Sequence, residues 1–175
     1  NWLVFEPDGQ PKSGIIFYPG AKVEPEAYSY YAQGLASGGY VVIIPQVNLN
    51  FALFDINQAN QIMEKFSDIT KWFVSGHSLG GVAAASYAYN NLENVEGLIL
   101  LASYPSNSSD FSETDLPTLS LYAEYDELTT KEKINDTKHL LSSETTFYEV
   151  KGGNHAQFGM YGIQKGDGVA TISQI

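Results

Sequence analysis

The sequence contains no cysteine and no arginine. Without cysteine the chain forms no disulfide, no thiolate metal site and no cysteine nucleophile. All nine cationic side chains are lysines, against 20 aspartates and glutamates, and the formal net charge is -11. Without a guanidinium fork, an anion site has to rely on lysine, backbone N–H groups or a helix N-terminus. The negative charge disfavours nucleic acid and anionic membrane surfaces as partners.

Long apolar segments are also missing. No run approaches the ~20 residues that cross a bilayer, and no charged-then-apolar leader follows Asn1. We therefore expect a soluble domain without membrane contact, either cytoplasmic or anchored or secreted through a segment before Asn1. A length of 175 residues with 43% hydrophobic residues predicts one globular domain over residues 1–175. The sequence makes no prediction of the oligomeric state.

Seven short apolar segments have the composition of β-strands. They are residues 2–5, 15–18, 41–44, 72–75, 98–101, 119–122 and 146–150. Runs such as VVII and LILL do not alternate between apolar and polar residues, which is typical of parallel strands buried on both faces. Segments with helical spacing separate most of the strands. This alternation predicts an α/β fold with a doubly wound, mostly parallel sheet and helices on both faces.

Local signals refine this prediction. Thr129 and Glu132 have the spacing of a capping box and predict where the last helix begins. The polar segment 106–115 is predicted to be a loop and is too short for a separate lid domain. The tail resembles a turn leading to a helix start, with Thr171 or Ser173 as the cap. Since the sequence ends at Ile175, we expect the closing C-terminal helix to be lacking.

The segment GHSLGG, residues 76–81, lies between a predicted strand and the small-residue run VAAASYAY. A G-x-S-x-G turn between a strand and a helix holds its serine in strained backbone geometry, and the flanking positions must be small. Gly76 and Gly80 meet this requirement, so Ser78 is the candidate nucleophile. The N–H of Leu79 at the helix N-terminus is a candidate oxyanion donor.

A serine hydroxyl needs a general base, which is usually an imidazole oriented by a carboxylate. The sequence has three histidines. His77 lies within the turn and is expected to point away from the Ser78 hydroxyl, and His139 lies on a lysine-flanked helix where a solvated role is expected. His155 follows the last predicted strand in the glycine-containing loop KGGNHAQFG and is the candidate base.

The orienting acid is expected between the serine and the histidine, after an intervening strand. Asp126 fits this position, and Glu124, Glu127 and Asp110 remain rivals. A second oxyanion donor is expected after the strand GIIFY, in the loop that begins at Pro19. The Ala21 N–H is the candidate, and the Lys22 N–H is the alternative.

These residues resemble the α/β-hydrolase family over nearly the whole chain. The resemblance rests on GHSLGG, on Asp126 and His155 after successive strands, and on the small-residue loop at Pro19. The segments PGAKVEPEAY, LILLASYP and GGNHAQFGMYG are similar to a compact, lidless bacterial branch that includes dienelactone-hydrolase-like and esterase-like proteins. The family often has His-Gly where this chain has Pro19-Gly20.

The resemblance implies a catalytic triad of Ser78, Asp126 and His155, with oxyanion donors at Leu79 and Ala21 and no metal or organic cofactor. We expect a serine hydrolase that cleaves a carboxylic ester or related acyl bond of a small molecule through an acyl-enzyme. Thioester, lactone and peptide substrates remain open. The aromatic side chains expected near the mouth of the site are Tyr104, Phe158 and Tyr161, together with Pro105.

Two other function classes compete with a hydrolase. One is a catalytically silent binding protein that has kept the fold. The other is a flavodoxin-like nucleotide binder, which is disfavoured because GHSLGG lacks the lysine of a phosphate loop and no GxGxxG motif occurs.

Overall fold

The computed structural model describes residues 1–174. Seven strands form one sheet in the order β1-β3-β2-β4-β5-β6-β7. Their bounds are β1 Trp2–Phe5, β2 Ser13–Tyr18, β3 Tyr40–Pro45, β4 Trp72–His77, β5 Gly97–Leu101, β6 Thr118–Ala123 and β7 Thr145–Val150. All seven predicted strands are present, each within two residues of its predicted bounds. β1 pairs with β3 antiparallel, and every other neighbouring pair is parallel.

Four α-helices lie in the connections between strands in the described part of the chain: α1 Ser29–Ser37, α2 Gln58–Lys65, α3 Leu79–Asn90 and α4 Lys131–Thr137. Short 3-10 turns precede α1 at Pro25–Tyr28 and follow β7 at Ala156–Phe158. None of the helices in residues 1–174 is long and apolar enough to span a bilayer.

Two apolar clusters pack against the opposite faces of the sheet. Ala32 of α1 packs with Ile15 and Phe17 of β2 in one cluster. Ile62 of α2 and Ala84 of α3 belong to the other. Alternate residues of β2 therefore lie in different cores, which explains why its apolar run does not alternate with polar residues. The predicted doubly wound α/β architecture is confirmed.

Parallel pairing brings the carboxyl ends of the central strands to one edge of the sheet. The elbow at Ser78 follows β4, the Pro19 loop follows β2, Asp126 lies three residues beyond β6, and His155 lies five residues beyond β7. Ligands of open α/β sheets bind at this edge. The topology thus places the predicted site residues, which are distant in the sequence, at the same edge of the sheet.

The predicted cap of α4 is wrong by one residue. The hydroxyl of Thr130, not Thr129, accepts a hydrogen bond from the Lys133 N–H at 3.2 Å. The N–H of Thr129 instead donates to Asp126 Oδ1 at 2.7 Å. Thr129 therefore completes the turn that holds Asp126, and the helix begins after it.

The predicted loop over residues 106–115 is present, since no helix or strand is assigned there. Residues 159–174 likewise contain no helix, and neither Thr171 nor Ser173 caps one. The Thr171 N–H donates to the carbonyl of Gly152 at 2.8 Å, so the tail folds back against the loop that carries His155.

Candidate active site

Ser78 lies between β4 and α3 with φ 54° and ψ -123°. A positive φ is uncommon for a residue with a side chain and is strained, so the surrounding contacts must maintain it. The Ser78 N–H donates to the Leu101 carbonyl at 3.0 Å. Its carbonyl accepts from the Ser103 hydroxyl at 2.6 Å and from the Gly81 N–H at 2.9 Å. These main-chain bonds hold the turn, and the half-buried side chain remains accessible.

The glycines around Ser78 are required by close backbone packing. A Cβ at Gly76 would overlap the backbone of Gly80, and a Cβ at Gly80 would overlap the carbonyl oxygens of Tyr18 and Pro19. The start of α3 therefore lies directly against the end of β2 and the loop that follows it. This contact brings the elbow next to the second candidate oxyanion segment.

Asp126 and His155 form a buried pair. His155 Nδ1 lies 2.8 Å from Asp126 Oδ2. The other carboxylate oxygen, Oδ1, accepts from the backbone N–H groups of Leu128 at 2.8 Å and Thr129 at 2.7 Å. Because the carboxylate accepts, Nδ1 of a neutral His155 carries the proton and Nε2 keeps its lone pair. This tautomer is the one that a general base requires.

The rival acids make other contacts. Glu124 Oε2 accepts from the Gly152 N–H at 2.9 Å, and Asp110 Oδ1 accepts from the Ser112 N–H at 2.9 Å. Glu127 is exposed. His139 is also exposed, and its Nδ1 lies 2.9 Å from the Asp136 carbonyl.

A residue that sequence reasoning did not select supports the His155 loop. Asp167 Oδ1 accepts from the His155 N–H at 3.2 Å, and its Oδ2 accepts from the Ala156 N–H at 2.8 Å. The sequence offers no signal for this role, because a short acidic side chain in a glycine-flanked tail is an ordinary turn residue.

His77 is buried beside His155, with ring centroids 4.7 Å apart. Its Nδ1 lies 2.8 Å from the Tyr28 hydroxyl, and its Nε2 lies 3.2 Å from the His155 carbonyl. Burial, together with the neighbouring His155, lowers the pKa of His77 to about 3. A neutral ring with both nitrogens occupied is not available as a base, so His77 does not compete with His155 for that role. The His155 ring thus lies against the side chain of the residue that directly precedes Ser78, and within residues 1–174 no hydrogen bond joins Ser78 Oγ to the imidazole.

The two candidate donors in the Pro19 loop differ in their bonding. The Lys22 N–H donates to the Asn50 carbonyl at 2.8 Å. That donor is therefore occupied, and the geometry favours Ala21. Leu79 is the first residue of α3, where backbone N–H groups have no intrahelical acceptor.

Comparisons with known proteins agree with this fold. A family model described as the alpha/beta hydrolase family matches residues 14–175. The chain belongs to the alpha/beta hydrolase family. No curated protein sequence matches the chain. The crystal structure of MGS-MChE2, an alpha/beta hydrolase enzyme from the metagenome of sediments from the lagoon of Mar Chica, Morocco, is similar with a TM-score of 0.72 and 17% identity, over 91% of this chain and 88% of that chain. At this identity the similarity shows the fold.

The aromatic residues predicted near the mouth of this hydrolase-family site lie in different surroundings. Phe158 and Tyr161 lie beside His77, with ring centroids 5.8 Å and 6.1 Å away. Tyr104 is half-buried after β5, next to the buried Pro105. Contact with substrate stays a prediction for all of them. No group of three or more His, Asp or Glu side chains is placed to hold a metal ion in the part of the chain that the structure describes.

Proposed function

We propose that this member of the alpha/beta hydrolase family is a serine hydrolase that cleaves a carboxylic ester or a related acyl bond. The observation that carries the proposal is the buried 2.8 Å contact between His155 Nδ1 and Asp126 Oδ2. The His155 ring packs against His77, which directly precedes the φ 54° serine at the strand-to-helix turn. Strained nucleophile, oriented imidazole and buried acid are the three parts of a triad.

In the proposed reaction, His155 Nε2 removes the proton of Ser78 as the hydroxyl oxygen attacks the substrate carbonyl. Asp126 holds the imidazole in the required tautomer and stabilises the imidazolium that forms. The N–H groups of Leu79 and Ala21 stabilise the oxyanion. His155 then protonates the leaving alcohol. In the second step His155 removes a proton from a water molecule, which hydrolyses the acyl-enzyme. The hydrogen bond between serine and histidine often tightens only when substrate is bound.

The composition and charge of the chain also bear on the substrate class. No arginine is present to clamp a phosphate or carboxylate, and the net charge of -11 disfavours polyanions. We propose a small, uncharged acyl ester as the substrate. We also propose that the chain belongs to the compact, lidless bacterial branch that includes dienelactone-hydrolase-like and esterase-like proteins.

Turnover of nitrophenyl esters of increasing acyl length tests the proposal, with Ser78→Ala as the control. The variant removes one oxygen atom and none of the hydrogen bonds that hold the turn, so it is expected to fold. Wild type should be labelled by a fluorophosphonate probe and release nitrophenol in a burst, and Ser78→Ala should do neither. Equal labelling of both proteins would refute Ser78 as the nucleophile, and an unlabelled, inactive wild type would favour a silent binding protein.

A further inference from the structure

The buried imidazole of His77 has no role in the proposed reaction, yet it contacts both parts of the site. The Gly20 N–H donates to the Tyr28 hydroxyl at 2.9 Å, and that hydroxyl lies 2.8 Å from His77 Nδ1. On the other side of the ring, His77 Nε2 lies 3.2 Å from the His155 carbonyl. Gly20 directly precedes Ala21, and the carbonyl belongs to the proposed base itself.

The direction of each hydrogen bond follows from donor chemistry. A carbonyl oxygen only accepts, so His77 Nε2 must donate to His155. A neutral imidazole has one N–H, which leaves Nδ1 as an acceptor, and the Tyr28 hydroxyl must donate to it. The same hydroxyl oxygen accepts from the Gly20 N–H. The chain of bonds therefore runs in one direction, from Gly20 through Tyr28 and His77 to His155.

We infer that His77 and Tyr28 are positioning residues that fix the proposed oxyanion loop relative to the backbone of the proposed general base. The inference rests on the proposed function, because it assigns the two connected segments to one reaction. Burial and the neighbouring His155 lower the pKa of His77 to about 3, so the imidazole is neutral at pH 7 and makes both bonds there.

The hydrogen-bonded series from Gly20 to His155 is tightly packed, so it forms a rigid connection. A Cβ at Gly20 would lie 2.9 Å from the Tyr28 hydroxyl and 3.2 Å from His77 Nδ1. Tyr28 and His77 are both nearly inaccessible to solvent. Water therefore does not replace the Tyr28 hydroxyl readily when it is removed, and the Gly20 N–H is left without a partner.

Tyr28→Phe is the principal test, with Tyr31→Phe as its matched control. Both tyrosines pack against Phe17 in one aromatic group, but the buried Tyr31 hydroxyl has no hydrogen-bond partner within the described residues. Each substitution removes one buried hydroxyl and keeps the ring. Tyr28→Phe should lower kcat by up to about 100-fold with little change in KM, because a misplaced reacting group costs about that much. Tyr31→Phe should retain the wild-type kcat.

Rates are normalised to the sites labelled by a fluorophosphonate probe, so loss of folded protein does not imitate loss of positioning. Equal kcat values for Tyr28→Phe and Tyr31→Phe would overturn the inference while leaving the proposed function intact. A wild type without turnover or labelling would instead remove the proposed function on which the inference rests.

Substitution at His77 separates the two halves of the chain. His77→Asn keeps an acceptor near the Nδ1 position, whereas His77→Gln keeps a donor near the Nε2 position, and His77→Leu keeps neither. We expect kcat per labelled site to fall for each of the two amides and to fall further for His77→Leu. Wild-type kcat in His77→Leu would overturn the inference.

NMR of protein labelled with nitrogen-15 in its histidines tests these hydrogen bonds independently of enzymatic activity. His77 should be neutral, with Nε2 protonated and Nδ1 unprotonated, and the Nδ1 resonance should move in Tyr28→Phe but not in Tyr31→Phe. A protonated Nδ1, or a resonance that ignores Tyr28→Phe, would contradict the proposed chain.

Discussion

Acidification should destabilise the protein through the buried imidazole of His77. Burial and the neighbouring His155 lower the pKa of His77 from 6.5 to about 3 in the folded state. The unfolded chain exposes the ring and binds a proton below about pH 6.5, while the folded chain does not. Folding stability from this group is therefore present above pH 6.5 and is lost as the pH falls towards 3.

The size of the effect follows from the same two values. Each pH unit between them corresponds to about 1.4 kcal/mol, so the free energy of unfolding should fall by about 2 kcal/mol between pH 7 and pH 5 through His77 alone. This loss is a large fraction of the 5–15 kcal/mol that is typical for a folded domain.

Urea unfolding at pH 7, 6 and 5 measures this effect when wild type is compared with His77→Asn. The variant is expected to be less stable at pH 7 but to lose about 2 kcal/mol less on acidification, since the other titrating groups are common to both proteins. His139→Asn removes an exposed imidazole and serves as the matched substitution. Equal losses in wild type and His77→Asn would refute the buried, neutral imidazole.

Four further substitutions have distinct expected outcomes. Asp126→Asn presents an amide N–H to His155 Nδ1 and favours the wrong tautomer, so ester turnover should fall by about 10⁴-fold, as it does in serine-protease triads, with an unchanged circular dichroism spectrum. Gly80→Ala forces a Cβ into backbone carbonyls, so its free energy of unfolding in urea should be about 3 kcal/mol lower than that of the wild type. Gly34→Ala, on α1 with open space around it, should instead raise the free energy of unfolding by about 0.5–1 kcal/mol. Thr130→Ala removes the cap of α4 and should cost about 1 kcal/mol, and an unchanged midpoint would contradict that assignment.

The strands and the elbow were predictable from sequence for physical reasons. A strand buried on both faces has to be apolar throughout, so segments such as residues 41–44 and 98–101 stand out without any alignment. The turn at Ser78 leaves no room for a Cβ at Gly76 or Gly80, and such a steric requirement is visible directly in the amino-acid types.

Contacts between distant segments were not predictable in this way. His77 meets Tyr28 and His155 across 49 and 78 positions, and nothing in the local sequence indicates these bonds. The α4 cap was misplaced because Thr129 and Thr130 are adjacent and chemically alike. Only the turn around Asp126 decides between them, by engaging the N–H of Thr129.

The elbow holds its shape through main-chain atoms of residue 78, with partners on Leu101, Ser103 and Gly81. At this position the main chain maintains the turn, and the side chain supplies the proposed nucleophile. Ser78→Ala should consequently retain an intact recognition surface while being unable to turn over its ligand. Immobilised as bait, this inert protein would enrich its natural substrate from a metabolite extract, and mass spectrometry would then identify that substrate.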